Sequence, residues 1–142
     1  MHFDPASPLA HRTLERLQNE QIIWLTTTSS NGTPQPRPVW FWWDGAMVLI
    51  LSQPHGYKVK QIARSDRVSL HFNATSDGDD IQVITGRAIL DSNPVPTEQE
   101  TAYLAKYGEG IAFIGMTPAS YVARFNCAIR VIPEKVRGVD VL

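Results

Sequence analysis

The stretch "RPVWFWWDG", residues 37–45, gathers three of the chain's four tryptophans and a phenylalanine into four consecutive positions, with an arginine upstream and a turn signal downstream. Successive side chains on a strand point to opposite faces. Arg37, Val39, Phe41 and Trp43 then point one way, and Pro38, Trp40 and Trp42 the other. One set packs inside a barrel. Aromatic surface on the second face implies burial there as well, and that set is expected to meet a planar ligand or a second subunit.

The flanks of this strand define its neighbours. Asn31-Gly32 and Asp44-Gly45 are tight-turn dipeptides, which join "QIIWLTTTS" (21–29) before it and "MVLILS" (47–52) after it as antiparallel strands of a meander. Ser7-Pro8 is a cap followed by a first-turn proline, and Leu9, Thr13, Leu14 and Leu17 recur on one face, predicting a helix to Asn19. "GYKVKQIARSD" (56–66) reads as a helix with Ile62 and Ala63 inward, and "RVSLHFNA" and "IQVITGRAIL" as strands around the polar turn "TSDGDD" (75–80). Thr97 opens a helix carrying Tyr103, Leu104 and Tyr107 to a stop at Gly108. Thr117-Pro118 caps a short helix with Tyr121, Val122 and Phe125, and "CAIRVIP" and "EKVRGVDVL" finish the chain as two strands interrupted at Pro133. Six or seven strands crossed by helices define a mainly β, α+β class: an antiparallel β-barrel with helical plugs.

Composition sets further bounds. A chain of 142 residues is one domain, 1–142. With 43% hydrophobic residues, 19% charged and a net charge of -1, it is globular and lacks the positive field a general nucleic-acid binder needs. The lone Cys127 allows no internal disulfide and reads as a small buried hydrophobe. The longest apolar run, Ala46 to Leu51, falls far short of the ~20 residues of a membrane span, and no signal-peptide segment is visible, so no membrane partner and a cytoplasmic location are expected.

The run from Arg37 to Phe72, followed by "VITGRAIL", resembles the FMN-binding split barrel of the pyridoxamine 5'-phosphate oxidase class. "YLAKYGEGIAFIGMTPASY" (103–121) and "AIRVIPEKVRG" (128–138) are similar to a branch of that class that uses the deazaflavin coenzyme F-420. The resemblance spans almost the whole chain and implies a homodimeric split barrel with F-420 or FMN as cofactor, F-420 being favoured by the branch. It carries Arg37 and Lys58 onto the family positions that hold the cofactor phosphate, and Lys60 is a second phosphate candidate. Pro38, Val39, Trp40, Phe41, Trp42 and Leu51 match the strand stretches along the cofactor rings, with Ser52 as a hydroxyl contact. Tyr57 stands where the flavin oxidases often have a second basic residue, a departure that removes one charge. Gln82 lies near a family glutamine contact, although its offset to Gly86 is one residue short. Arg130 and Arg137 are in reach of a partner's cofactor in such a dimer, with a structural ion pair as the competing role for each.

The residues support this chemistry on their own terms. A phosphate needs a forked planar donor, a point charge and free amide hydrogens at a helix start, and "HGYKVK" (55–60) offers the last two. Gly56 lets backbone approach closely. His2, His11, His55 and His71 show no metal-ligand spacing, Asp77, Asp79 and Asp80 lack the rest of a calcium loop, and no nucleophile elbow is present. The expected function is hydride transfer between F-420 or FMN and a small unsaturated or planar organic substrate, with no catalytic side chain identified. The alternative is a non-enzymatic binder of haem or flavin on the same barrel. Pyridoxamine phosphate oxidation itself is disfavoured, because the substrate-binding elements of those oxidases are not recognisable in "RVIPEKVRGVDVL" (130–142).

Overall fold

Seven strands lie in one antiparallel sheet that curls into a half-barrel in the computed structural model, which describes residues 6–139. In chain order the elements are α1 (Pro8–Asn19), β1 (Ile23–Thr28), β2 (Pro34–Val39), β3 (Trp42–Trp43), β4 (Val48–Ser52), α2 (Tyr57–Arg64), β5 (Arg67–His71), β6 (Ile81–Asp91), α3 (Thr97–Lys106), α4 (Gly108–Phe113), α5 (Pro118–Arg124) and β7 (Cys127–Val139). Across the sheet the order is β2, β1, β5, β6, β7, β4, β3.

That order corrects the reading of residues 37–43 as one strand. The chain leaves β2 on one edge of the sheet, passes Trp40 and Phe41 outside regular structure, and enters β3 on the opposite edge. The two edges are thus joined covalently at Trp40–Phe41 but are not neighbours in the hydrogen-bonded order, which leaves the barrel split. The expected simple meander is replaced by a sheet in which β4 lies between β3 and β7, while β1 pairs with β2 and β5.

Backbone groups at the split need partners, since an unpaired buried amide or carbonyl costs as much as a lost hydrogen bond. Helix α3 supplies them. The Tyr107 hydroxyl accepts the Phe41 N–H at 2.8 Å and lies 2.8 Å from the carbonyls of Phe41 and Gln21, either of which takes its single proton. Lys106 donates to the Phe41 carbonyl at 2.8 Å.

The alternation of side chains survives the break. Val39, Phe41 and Trp43 pack on the barrel interior with Ile23, Leu25, Ile50, Leu70, Ile84 and Ile129. Trp40 and Trp42 belong to a second cluster outside the barrel, where Leu49, Leu51 and Ala128 meet Tyr103, Tyr107, Ile111 and Tyr121. The outward tryptophans, both half-buried, pack against the chain's own helices α3–α5.

Local signals are otherwise expressed as the chemistry requires. Ser7 caps α1 by accepting the Ala10 N–H at 3.2 Å, and Thr117 and Ser120 form a reciprocal capping box on α5. In α2 the inward residues are Val59 and Ile62; Ala63, expected inward, is exposed, since the side of α2 that meets the sheet is centred on Val59 and Ile62. Gly108 does not end the helical region but starts α4. Pro133 does not divide the last strand: β7 runs for 13 residues, and the proline lies opposite Gly86 where the register shifts. A Cβ on Gly86 would stand 2.0 Å from the Ile132 carbonyl oxygen, so only glycine admits this bulge. Cys127 is half-buried rather than part of the core.

Candidate functional site

Two depressions share Lys58. The first is a polar cleft of about 550 Å³ bordered by Ser29, Gln35, Arg37, Tyr57, Lys58 and Gln61. The second, of about 240 Å³, is bordered by Pro38, Val39, Trp40, Ile50, Leu51, Lys58, Ile114, Tyr121 and Phe125. Strand β2 runs past both, presenting Arg37 to one and Pro38 and Val39, followed by Trp40, to the other.

The polar cleft has no carboxylate in its lining. Arg37 donates to the Gln61 side-chain carbonyl at 3.3 Å, and that same oxygen accepts the Thr27 hydroxyl. The guanidinium is thereby aimed but not neutralised. Burial lowers the Arg37 pKa, and burial followed by repulsion from Arg37 lowers that of Lys58. Cys127 senses Lys58, yet burial dominates and pushes its thiol up, so it remains neutral and gives the lysine no counter-charge. Helix α2 begins at this cleft with Gly56 as its N-cap and no side-chain cap bond. Its first amide hydrogens and the positive end of its dipole add to the two cations.

The second depression has an aromatic wall. Trp40 stacks on Tyr107 with centroids 4.6 Å apart and planes at 6°, and on Tyr121 at 5.6 Å and 23°. Tyr121 stacks in turn on Phe125 at 4.5 Å. Burial raises the Tyr121 phenol, which keeps this wall uncharged at neutral pH. The closeness of α4 fixes Trp40 from behind: a Cβ on Gly110 would come within 2.9 Å of the indole ring.

Of the residues singled out from sequence, Arg37, Tyr57 and Lys58 meet in the polar cleft, and Pro38, Val39, Trp40, Leu51 and Lys58 in the aromatic one. Ser52 is buried and turns its hydroxyl to the Gln53 carbonyl at 3.3 Å. Phe41 is fully buried in the barrel, and Trp42 packs in the outer cluster. Lys60 is exposed, its ammonium 5.9 Å from the Tyr57 ring centroid and outside the cleft lining. Gln82 is buried elsewhere, accepting from Arg16 at 2.8 Å and donating to Asp80 at 2.9 Å. Arg130 takes the structural role, bonded to Asp91 at 3.0 Å and Gln99 at 2.8 Å.

Sequence reasoning missed Gln61, Tyr121, Phe125 and Ile114 as lining residues. Gln61 stands three positions after Lys58 on one helix, a spacing that places both on one face. Tyr121 and Phe125 carried only a core signal, because nothing local says where α5 docks. Among the described residues no group of three or more His, Cys, Asp or Glu is arranged to hold a metal ion, and no helix is long and apolar enough to cross a membrane.

A curled antiparallel sheet whose two edges are joined only by an aromatic crossing, with a cationic cleft nearby, defines a split barrel of the pyridoxamine 5'-phosphate oxidase type. The chain matches the model of the pyridoxamine 5'-phosphate oxidase family over residues 9–140 and belongs to that family. No curated protein sequence matches it. Among solved structures it is similar to a protein of the pyridoxamine 5'-phosphate oxidase class from Listeria innocua (22% identity, TM-score 0.70, covering 92% of this chain and 97% of that one). It is also similar to the haem-storage protein HutZ from Vibrio cholerae (14% identity, TM-score 0.68, 97% and 95% covered). An F420 reductase shares the fold at 18% identity and a TM-score of 0.56, with 87% and 94% covered.

Proposed function

We propose that the protein is an oxidoreductase that binds F-420 or FMN and passes a hydride between it and a small unsaturated or planar organic substrate. One observation carries the reading: Arg37 and Lys58 converge in a cleft whose lining has no carboxylate, and Lys58 also borders the aromatic depression. Two desolvated like charges are costly when unpaired, and a phosphate supplies the balance they lack.

The residues present fit a phosphate-bearing planar ring. Arg37, Lys58 and the uncapped amides of α2 take the phosphate, while Pro38 to Trp40, Leu51 and Tyr121 flank the ring and exclude water. The bound ring supplies the hydride chemistry, and the protein supplies binding, orientation and a dry wall. No lining side chain is assigned a proton transfer, and solvent serves as the proton source.

F-420 is the preferred cofactor. Its anionic tail extends past the phosphate and needs an open exit with positive charge near it; Tyr57, 79% exposed, and the exposed Lys60 stand beside the cleft. Arg64, a further cation on α2, is occupied with the Thr28 carbonyl and adds nothing there. Parallel fluorescence titrations of the apoprotein with F-420 and FMN across salt concentrations test the choice, with tighter and more salt-sensitive F-420 binding expected. Submicromolar FMN binding without F-420 binding reverses the preference. A sharp Soret band on adding haem, with neither other cofactor bound, replaces the redox reading with that of a haem binder.

A further inference from the structure

A third depression, of about 520 Å³, adjoins the aromatic one and shares Leu51 and Phe125 with it. Its size suits a small organic molecule. The two shared side chains form a common wall, so an occupant of this cavity lies beside an occupant of the ring pocket. Its other walls are the end of β6, the Ser92–Val95 loop, the first turns of α3 and the start of β7.

The charge of this cavity is opposite to that of the polar cleft. Asp91 and Glu100 line it, and no lysine or arginine does. Asp91 is already matched: one carboxylate oxygen accepts from Arg130 at 3.0 Å and the other from the Asn93 N–H at 3.0 Å, bonds that hold its carboxyl below the usual range. Arg130 spends its remaining reach on Gln99 at 2.8 Å and Asp44 at 3.7 Å. Glu100 is half-buried in α3, and its carboxylate has no hydrogen-bond or ion-pair partner among the described residues. One carboxylate without a side-chain partner thus lines an open, mostly apolar depression, whose lining also includes Asn93 and Asn126. The run of depressions is polar in one direction: cations at Arg37 and Lys58, an uncharged aromatic section, then Glu100.

We propose, resting on the reading above, that this cavity is the substrate site and takes an amphipathic organic amine, its ammonium paired with Glu100 and its apolar body along Leu51 and Phe125. A carboxylate in a partly desolvated pocket attracts a cation more strongly than one in water. A neutral isostere loses that pairing, and an anion meets Glu100 with like charge.

Phenethylamine, 2-phenylethanol and 3-phenylpropanoate carry positive, neutral and negative groups on one phenylethyl stem. Their titration into the cofactor-free protein is followed by the backbone amide shifts of Ser92, Asn93, Val95 and Asn126–Ala128. The amine should bind about tenfold or more tightly than the alcohol, the scale of one charge-assisted hydrogen bond, and the anion more weakly than either. Glu100→Gln should remove the preference for the amine, with dispersion of the amide spectrum retained as the check on folding. Equal binding of amine and alcohol, tighter binding of the anion, shifts confined to other regions, or a preference that survives Glu100→Gln each overturn the proposal. The cofactor titrations fail or succeed separately. Amine selectivity without F-420 or FMN binding supports an amine site while removing its redox role, and cofactor binding without amine selectivity overturns the amine site alone.

Discussion

Lys106 donates its ammonium to the Phe41 carbonyl at 2.8 Å and stands 3.7 Å from the centroid of that residue's ring. With the Tyr107 hydroxyl on the same residue, it ties α3 across the place where the barrel is split. Burial, opposed by attraction to Glu20, lowers the Lys106 pKa to about 8 from 10.5.

This lysine makes stability depend on pH in a definite direction. Between about 8 and 10.5 the unfolded chain holds the Lys106 proton while the folded chain releases it, so the Lys106 contribution to stability rises with pH through that window. Lys106→Met removes the titration together with the bond to Phe41. Denaturant unfolding at pH 7.5–10.5 (about the span of the two values) should show wild type gaining on the variant as pH rises. A constant difference would contradict the assignment.

The proposed phosphate site at Arg37 and Lys58 is tested by substitution. Arg37→Ala and Lys58→Ala should each weaken binding of the phosphorylated cofactor by about 1.5–3 kcal/mol, the value of a hydrogen bond to a charged group. Riboflavin, which has no phosphate, should be little affected. Because burial and Arg37 lower the Lys58 pKa, the cofactor affinity should begin to fall with rising pH below the ordinary lysine value, as the ammonium loses its proton. Lys58→Arg should remove most of that fall, since arginine stays protonated. Wild-type affinity in both alanine variants would move the phosphate elsewhere.

Gly110 controls the ring pocket from behind. A methyl group there comes within 2.9 Å of the Trp40 indole, which is itself stacked between Tyr107 and Tyr121. Two stacked rings hold Trp40 in place, so Gly110→Ala should destabilise the protein by about 1–3 kcal/mol, as overpacking does. It should also weaken riboflavin and FMN alike, in contrast to the phosphate variants. Equal loss on both ligands in a titration, with an altered tryptophan emission, checks this.

The proposal that two copies of the chain assemble is tested by mass. Phe113 is 92% exposed and Ile114 52% exposed, and Ile114 borders the ring pocket; large apolar side chains placed this way fit a surface covered by a second copy. Light scattering at low micromolar concentration should give about twice the 15.9 kDa chain mass. Phe113→Asp should lower that mass towards the monomer. A monomer that keeps full cofactor affinity would refute the dimer.

Much of this arrangement is written locally in the chain. The caps at Ser7 and Thr117, the turns at Asn31-Gly32 and Asp44-Gly45, and the two-residue alternation of Val39, Phe41 and Trp43 against Trp40 and Trp42 are short-range facts, legible because backbone geometry imposes them. Arg37 and Lys58 are singled out through the family resemblance together with a helix start that suits an anion, and the fold brings both to one cleft. Tertiary structure alone decided what covers each face. Alternation shows that Trp40 and Trp42 share a side, but their cover is α3–α5, more than 50 residues further along. It decided that β2 and β3 occupy opposite edges of the sheet, that Pro133 sits in a bulge opposite Gly86, and that Arg16 and Asp80 claim Gln82. Each of these depends on which distant segments become neighbours, and a periodic pattern records the direction of a side chain without recording what it meets.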